Sequence, residues 1–407
     1  MGLIVQKFGG TSVGSVERIF NVAQCVKEEN ERGNNVVVVV SAMGKTTDQL
    51  VSLAREITSN PSKREMDMLL TTGEQTTIAL LAMALKEKGL EAISFTGWQA
   101  GILTEPVHSN ARITKIQTAQ IEKQLTGGKV VVVAGFQGVT ESGEITTLGR
   151  GGSDTTAVAL AAALGADRCD IYTDVTGVFT TDPRYVKSAR KLMDISYDEM
   201  LELANLGAGV LHPRAVEFAK NYNVKLEVRS SLEKIEGTVI KGEATLEQNL
   251  VVRGVAFEDQ ITRVTILGLA NSLTSLSTIF TTLAQQHINV DIIIQSKTES
   301  DTTNLSFSIK TDDLNEALGV LENNKSILNY ERIEAENGLA KVSIVGSGMI
   351  SNPGVAAKMF EVLAQSEIEI KMVSTSEIKV SAVVEDQQMV KAVETLHDAF
   401  ELADDHR

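Results

Sequence analysis

The chain has 407 residues, a hydrophobic fraction of 43% and an aromatic fraction of only 4%, so two or three domains are expected and Val, Ile, Leu and Ala must fill their cores. Lysine and arginine number 38 against 53 acidic residues, a net charge of −15. That leaves no basic stripe for nucleic acid and disfavours an anionic membrane surface, while an anionic nucleotide stays within reach through a local cationic pocket and a divalent metal.

The N-terminus goes straight into structure, with residues 3–8 reading as a strand. No cationic, apolar leader precedes it, so no signal peptide is expected. A helix follows over residues 16–31, then a strand over 36–41. Its valine run, Val36 to Val40, suits burial and is far too short to span a bilayer. Further along come a helix over 65–88, strands over 92–96 and 130–134, a helix over 154–164 and a strand over 169–173. Apolar strands alternating with helices predict an α/β fold, a mostly parallel sheet covered on both faces. Ligands of such sheets sit beyond the carboxyl ends of the strands. The two cysteines, Cys25 and Cys169, form no CxxC pair, which favours a reducing compartment and a cytoplasmic location.

The texture changes after residue 245. Residues 243–249 are polar and read as a linker. A repeat follows: Arg263-Val264-Thr265-Ile266-Leu267-Gly268 matches Lys341-Val342-Ser343-Ile344-Val345-Gly346, and Ile279-Phe280 matches Met359-Phe360. Each copy is too small to bury much alone, so the two are expected to pack together.

Four motifs carry chemistry. Lys7-Phe8-Gly9-Gly10-Thr11-Ser12 lies at a strand end before a helix. Glycines let the backbone approach a phosphate, the helix N-terminus adds partial positive charge, and Lys7 brings a full one. The bland alternative is a glycine turn with Ser12 or Ser15 as the helix cap; no GxxxxGK[ST] loop is present. In the second, residues 147–156, Arg150 offers a planar fork for a carboxylate or phosphate, or Asp154 merely caps a helix. The third, residues 172–184, carries Asp174 and Asp182, suited to the nucleotide or its metal, and Arg184, suited to phosphates; the alternative is a turn-rich loop. The fourth joins residues 41–48 with Thr72-Gly73-Glu74, where a carboxylate such as Glu74 suits a substrate ammonium. The five histidines show no metal-ligand spacing, and His212, before Pro213, reads as structural.

Together these motifs, in this order and over essentially the whole chain, resemble the aspartokinases of the amino acid kinase family, most closely the Bacillus-type, lysine-sensitive class. The resemblance implies an αβα-sandwich catalytic domain over 1–245, a linker and first regulatory strand over 246–262, and two βαββαβ ACT domains over 263–335 and 336–407. It implies ATP-dependent phosphorylation of the aspartate β-carboxylate, with Mg²⁺ accompanying ATP. By the same resemblance Lys7 stabilises the transferring phosphoryl group and Asp154 positions Lys7. Phe8, Gly9, Gly10, Thr173, Asp174, Phe179, Asp182 and Arg184 line the nucleotide site. Ser41, Thr47, Glu74, Arg150, Gly151 and Ser153 hold aspartate. The acceptor carboxylate is ionised at neutral pH, with a reference pKa of roughly 3.9, so no general base is needed. Two positions depart from the family pattern: Gly209 stands where many members carry lysine, and Phe179 where tyrosine is common. Effector positions map to Asn271, Ser275, Asn289, Asp291 and Gln295 in the first copy and Val355, Ala356, Ile370, Ser376 and Glu377 in the second. Lysine is the expected inhibitor, with threonine sensing weakened because Asn271 replaces an aspartate. The class pairs its ACT domains between subunits and makes a short subunit from an internal start near residue 246, giving an α2β2 enzyme; here that position is Leu246. Kinases of glutamate, N-acetylglutamate or UMP are the rival readings, and an inactive amino-acid sensor is another. The repeats and the intact Lys7, Glu74, Arg150 and Asp154 argue against them.

Overall fold

The computed structural model describes residues 2–207, 209–242, 251–270, 274–298 and 302–403; Asn271 lies outside them. The chain divides into two compact units. The first comprises Met1–Val178, Lys191–Asn205 and Gly209–Gln248. The second comprises Phe179–Arg190, Leu206–Ala208 and Asn249–Arg407.

In the first unit an eight-stranded sheet runs, in spatial order, Asp194–Ser196, Thr238–Lys241, Leu226–Ser230, Arg168–Thr173, Leu3–Phe8, Asn35–Val40, Val130–Ala134 and Ala92–Phe95. All neighbours are parallel except Leu226–Ser230 with Thr238–Lys241. Val36 to Val40 are all fully buried, as a strand covered on both faces requires. The Val16–Glu31 helix starts where the Ser15 hydroxyl accepts from Arg18 N–H at 3.2 Å. It turns Ile19, Val22, Ala23 and Val26, the spacing of one helical face, into a core with Val36, Val38, Val40, Leu81 and Leu85. Each of the valine, leucine and isoleucine side chains contributes about 1.5–3 kcal/mol on burial. The Lys63–Glu87 helix brings Leu81 and Leu85 to that core and buries Asp67 and Glu74 as well. By length and composition alone it could cross a membrane, but half of it packs inside the protein. A smaller sheet orders Ile113–Ile116, Ile102–Thr104, Gln137–Val139 and Ile145–Thr147.

The second unit is a six-stranded antiparallel sheet ordered Ile293–Lys297, Thr302–Lys310, Gly254–Ala270, Arg332–Val345, Lys379–Glu385 and Met372–Thr375. The helices Ser275–Gln285 and Leu314–Asn323 cover one core, and Val355–Gln365 and Met389–Ala399 the other. Its two long central strands are shared. Residues 261–267 pair with 332–339, and residues 254–258 pair with 341–345. The register slips between these stretches, where Gln260 takes φ +55°. The first module therefore lies within 261–339, and the second draws its fourth strand from residues 254–258, upstream of the first. Residues 179–190 also build this unit. Val186 enters the second core, Tyr185 packs edge-on against Phe257 at 5.1 Å, and Val255 N–H donates to Thr180 O at 2.7 Å.

Candidate active site

Lys7 is the penultimate residue of the Leu3–Phe8 strand. Its Nζ lies 2.7 Å from Asp154 Oδ1, and both side chains are only 12% exposed. Asp154 stands in the first turn of the Gly152–Leu164 helix, where the helix dipole favours a negative charge. Beyond Phe8 the backbone must pass very close to a neighbouring loop. A Cβ on Gly10 would lie 2.8 Å from Ala42 O, and Gly44 N–H donates to Gly10 O at 2.9 Å. Only glycine fits. The Ser12 hydroxyl donates to Ser231 Oγ at 2.8 Å, and Ser231 donates to Thr173 O at 3.1 Å. The predicted phosphate turn, residues 42–44 and the end of the Arg168–Thr173 strand are thus laced together. Thr173 Oγ1 donates to Asp174 Oδ1 at 3.1 Å, and Asp174 is exposed. Phe8 stacks on Tyr172 with centroids 4.4 Å apart, fixing the strand end from below.

Glu74 is 3% exposed. One of its oxygens accepts from Ala42 N–H at 3.1 Å. The other, Oε2, is buried with no hydrogen-bond partner among the described residues. Burial pushes its pKa up to about 7, against the lowering effect of the Ala42 N–H. A buried carboxylate oxygen left unpaired is costly, and a ligand ammonium is the group that would complete it. Ser41 and Thr47 are half-buried in the same segment, Thr47 in the first turn of the Thr46–Ile57 helix. Arg150 is exposed, and Ser153 is buried behind Gly135, where a Cβ would lie 2.8 Å from Ser153 Oγ. Gly151 sits at φ +66°, and a Cβ there would lie 2.1 Å from the His212 ring.

Phe179, Asp182 and Arg184 belong to the second unit. There Arg184 Nε donates to both Asp182 oxygens at 3.0 Å, and Nη2 to Oδ2 at 2.6 Å. Partial burial raises the Asp182 carboxyl, but the Arg184 hydrogen bonds outweigh it and hold the group below its ordinary value.

The predicted effector positions occupy helix starts and edge strands of the two modules. Ser275 is buried and donates to Ala270 O at 3.3 Å. Asn289 and Gln295 are exposed, Gln295 on the edge strand Ile293–Lys297. Val355 and Ala356 are half-buried at the start of their helix, and Ile370 packs against the second core. Ser376 N–H donates to Lys379 O at 2.8 Å, beside the exposed Glu377. Asp291 is ion-paired with Lys341, whose side chain is 5% exposed and also lies 2.8 Å from Glu258. Nothing in the sequence marks this lysine as buried beyond its place in the repeat. Asp67 and Arg214 likewise belong to none of the four motifs. The clue for Asp67 was its place seven residues before Glu74, on the same helical face.

Residues 2–230 match the amino acid kinase family, and residues 264–324 and 342–400 match the ACT domain. The chain belongs to the amino acid kinase family. It is 79% identical over 403 residues to the aspartokinase of Bacillus sp. (strain MGA3), covering 99% of this chain and 98% of that one. Identity is 72%, with the same coverage, to aspartokinase 2 of Bacillus subtilis (strain 168). Among solved structures it resembles E. coli aspartokinase III in complex with aspartate and ADP (R-state), with a TM-score of 0.82 and 28% identity over 98% of this chain and 99% of that chain. The same E. coli protein in complex with lysine and aspartate (T-state) gives a TM-score of 0.77 and 29% identity, with the same coverage. Within the family its activity is that of an aspartate kinase.

Proposed function

We propose that Glu74 receives the ammonium of L-aspartate, that Arg150 receives its α-carboxylate, and that Ser41, Thr47, Gly151 and Ser153 complete the aspartate site. The observation that carries this reading is the buried, unpaired Oε2 of Glu74. Lys7, held by Asp154, meets the γ-phosphoryl group of ATP, with Gly9 and Gly10 against the phosphates. Phe8, Thr173, Asp174, Phe179, Asp182 and Arg184 are assigned to the nucleotide. An oxygen of the aspartate β-carboxylate bonds to the γ-phosphorus while the bond to the ADP oxygen breaks. No proton moves, so a base is unnecessary, and catalysis is positioning plus charge stabilisation.

Mg²⁺ is the expected partner of ATP. Among the described residues no cluster of three or more His, Cys, Asp or Glu is poised to hold a metal ion. The cation would be bound mainly through substrate phosphates with one or two carboxylates, for which the sequence offers Asp174 or Asp182. When bound it would offset phosphate charge. The test is a hydroxamate assay for aspartyl phosphate with aspartate, glutamate and MgATP. Product from aspartate alone supports the reading, and equal product from glutamate rejects it.

We also infer feedback inhibition by lysine through the ACT modules, placing the reaction first in the synthesis of lysine (by way of diaminopimelate), threonine and methionine, in the cytoplasm. The likeness to a solved lysine complex of an aspartokinase supports this. Pairing of ACT modules between copies is supported by the edge strand Ile293–Lys297, where Ile293 is 50% and Ile294 39% exposed; unpaired, apolar edges recruit strands. A shorter regulatory chain joining such a pair would give the α2β2 form. Rate measured against lysine and threonine, singly and together, checks it. A coupling of about 1–3 kcal/mol, roughly 5–150-fold, is expected for lysine, and full activity at high lysine rejects it.

A further inference from the structure

Arg150 sits in a turn whose other residues are pinned from outside it. Thr147 donates its hydroxyl to Asp67 Oδ1 at 2.7 Å. The Leu148 carbonyl accepts from Arg214 Nη1 at 2.6 Å. Gly149 lies against Asn110, where a Cβ would come within 2.9 Å of Oδ1, and Gly151 lies against His212. One strap connects these contacts. Asp67 is fully buried and also accepts from Ser109 N–H at 3.0 and 3.1 Å and meets His108 Nδ1 at 2.9 Å. Arg214 also donates to Asn110 Oδ1 at 3.2 Å and to Ala111 O at 3.1 Å. Ala111 N–H donates to Thr147 O at 2.9 Å. Residues 108–111 therefore run between a carboxylate on the helix that carries Glu74 and a guanidinium beside the turn that carries Arg150.

We infer that Asp67 and Arg214 are positioning residues that act through the 108–111 strap to fix the separation between Glu74 and Arg150. This rests on the substrate roles proposed above. The chemistry favours it: the amino and α-carboxyl groups of an amino acid are joined by one carbon, so their two receptors must be held at one spacing. Asp67 lies seven residues, two helical turns, before Glu74 and so on the same face. A buried carboxylate with three donors does not drift along that face. Arg214 supplies a rigid planar fork to two carbonyls and an amide oxygen at once, which a lysine's point charge cannot reproduce.

The test compares Arg214→Lys, Asp67→Asn and Thr147→Val with Arg150→Lys in the full-length enzyme, reading kcat and the KM of aspartate and of ATP separately. Thr147→Val removes a single donor and covers the case in which Asp67→Asn fails to fold. The expected result is a rise of about tenfold or more in the aspartate KM for Arg214→Lys and Thr147→Val, with the ATP KM within about twofold. Adding Arg150→Lys to Arg214→Lys should raise the aspartate KM far less than the product of the two single effects, because one acts through the other. An unchanged aspartate KM in Arg214→Lys and Thr147→Val, with Arg150→Lys impaired, overturns the positioning role alone. So does an equal rise in both KM values. If Arg150→Lys itself leaves the aspartate KM unchanged, the site assignment and this inference fall together.

Discussion

Removing Lys7 deletes one charge and strands another. The Lys7–Asp154 pair is nearly buried, and breaking such a pair from one side costs about 3–5 kcal/mol because the remaining charge stays desolvated. Loss of one preorganised donor also costs roughly 10²–10³ in rate. The two effects separate in variants. Lys7→Met should lose both stability and kcat. Adding Asp154→Asn should recover much of the melting temperature and none of the rate; recovery of turnover would mean that Lys7 serves the fold rather than the phosphoryl group. Glu74 carries a pH signature. Its folded pKa of about 7 lies above the ordinary 4.5, so its contribution to stability is fully present below about 4.5 and is lost as pH rises through 7. That is about 3 kcal/mol at one pKa unit per 1.36 kcal/mol. Glu74→Gln should therefore make the ligand-free enzyme more stable than wild type at pH 8 and no more stable at pH 4, measured by thermal unfolding. The aspartate KM of the wild type should fall between pH 6 and 8 as the receptor ionises. Lys7 and Arg150 were conspicuous in the sequence because each adjoins a glycine pair, and Glu74, inside the Lys63–Glu87 helix, only through its motif. The burial of Glu74 was not, since it depends on residues 42–44 folding over it.

The elements read well where burial is symmetric. The valine strand, the Leu3–Phe8 strand and the Val16–Glu31 helix fall where apolar runs, a serine cap and 3.6-residue spacing put them. The small sheet of Ile102–Thr104, Ile113–Ile116, Gln137–Val139 and Ile145–Thr147 left no such trace. Its strands have only three or four residues, too few for alternation to stand out. Yet it carries Thr147 and places the turn after it. That turn depends on glycine. Gly151→Ala adds a Cβ where φ is positive and the His212 ring is already in contact range. A cost of about 1–3 kcal/mol and a marked rise in the aspartate KM are expected from urea unfolding and steady-state kinetics. A Gly151→Ala enzyme with wild-type kinetics would show that the turn tolerates displacement.

At the scale of the whole chain, the repeat was visible as sequence but its strand exchange was not. Pairing between residues 254–258 and 341–345 has no local signature, because antiparallel partners more than 80 residues apart share only a tendency to be apolar. The consequence is testable with fragments. A chain spanning 246–407 contains all four strands of both modules, whereas one spanning 263–407 lacks the second module's fourth strand. The longer fragment should unfold cooperatively, and the shorter should lose the thermal transition of the core around Val342, Ile344 and Met359. Equal melting curves would count against the interlock. Residues 179–190, which the sequence places within the kinase region, were equally hidden, since only Val186 and Tyr185 mark them as packing elsewhere.

The strand exchange also sets a timetable. On a ribosome adding about 5–20 residues per second, the Gly254–Glu258 stretch emerges roughly 4–18 s before its partner at residues 341–345. Val255, Ala256 and Phe257 spend that interval without the neighbour that later shields them, while the intervening module can already close on itself. The second module is thus begun first and finished last. Its nascent edge is the place where a holding chaperone, or an unwanted strand from another growing chain, would have time to act.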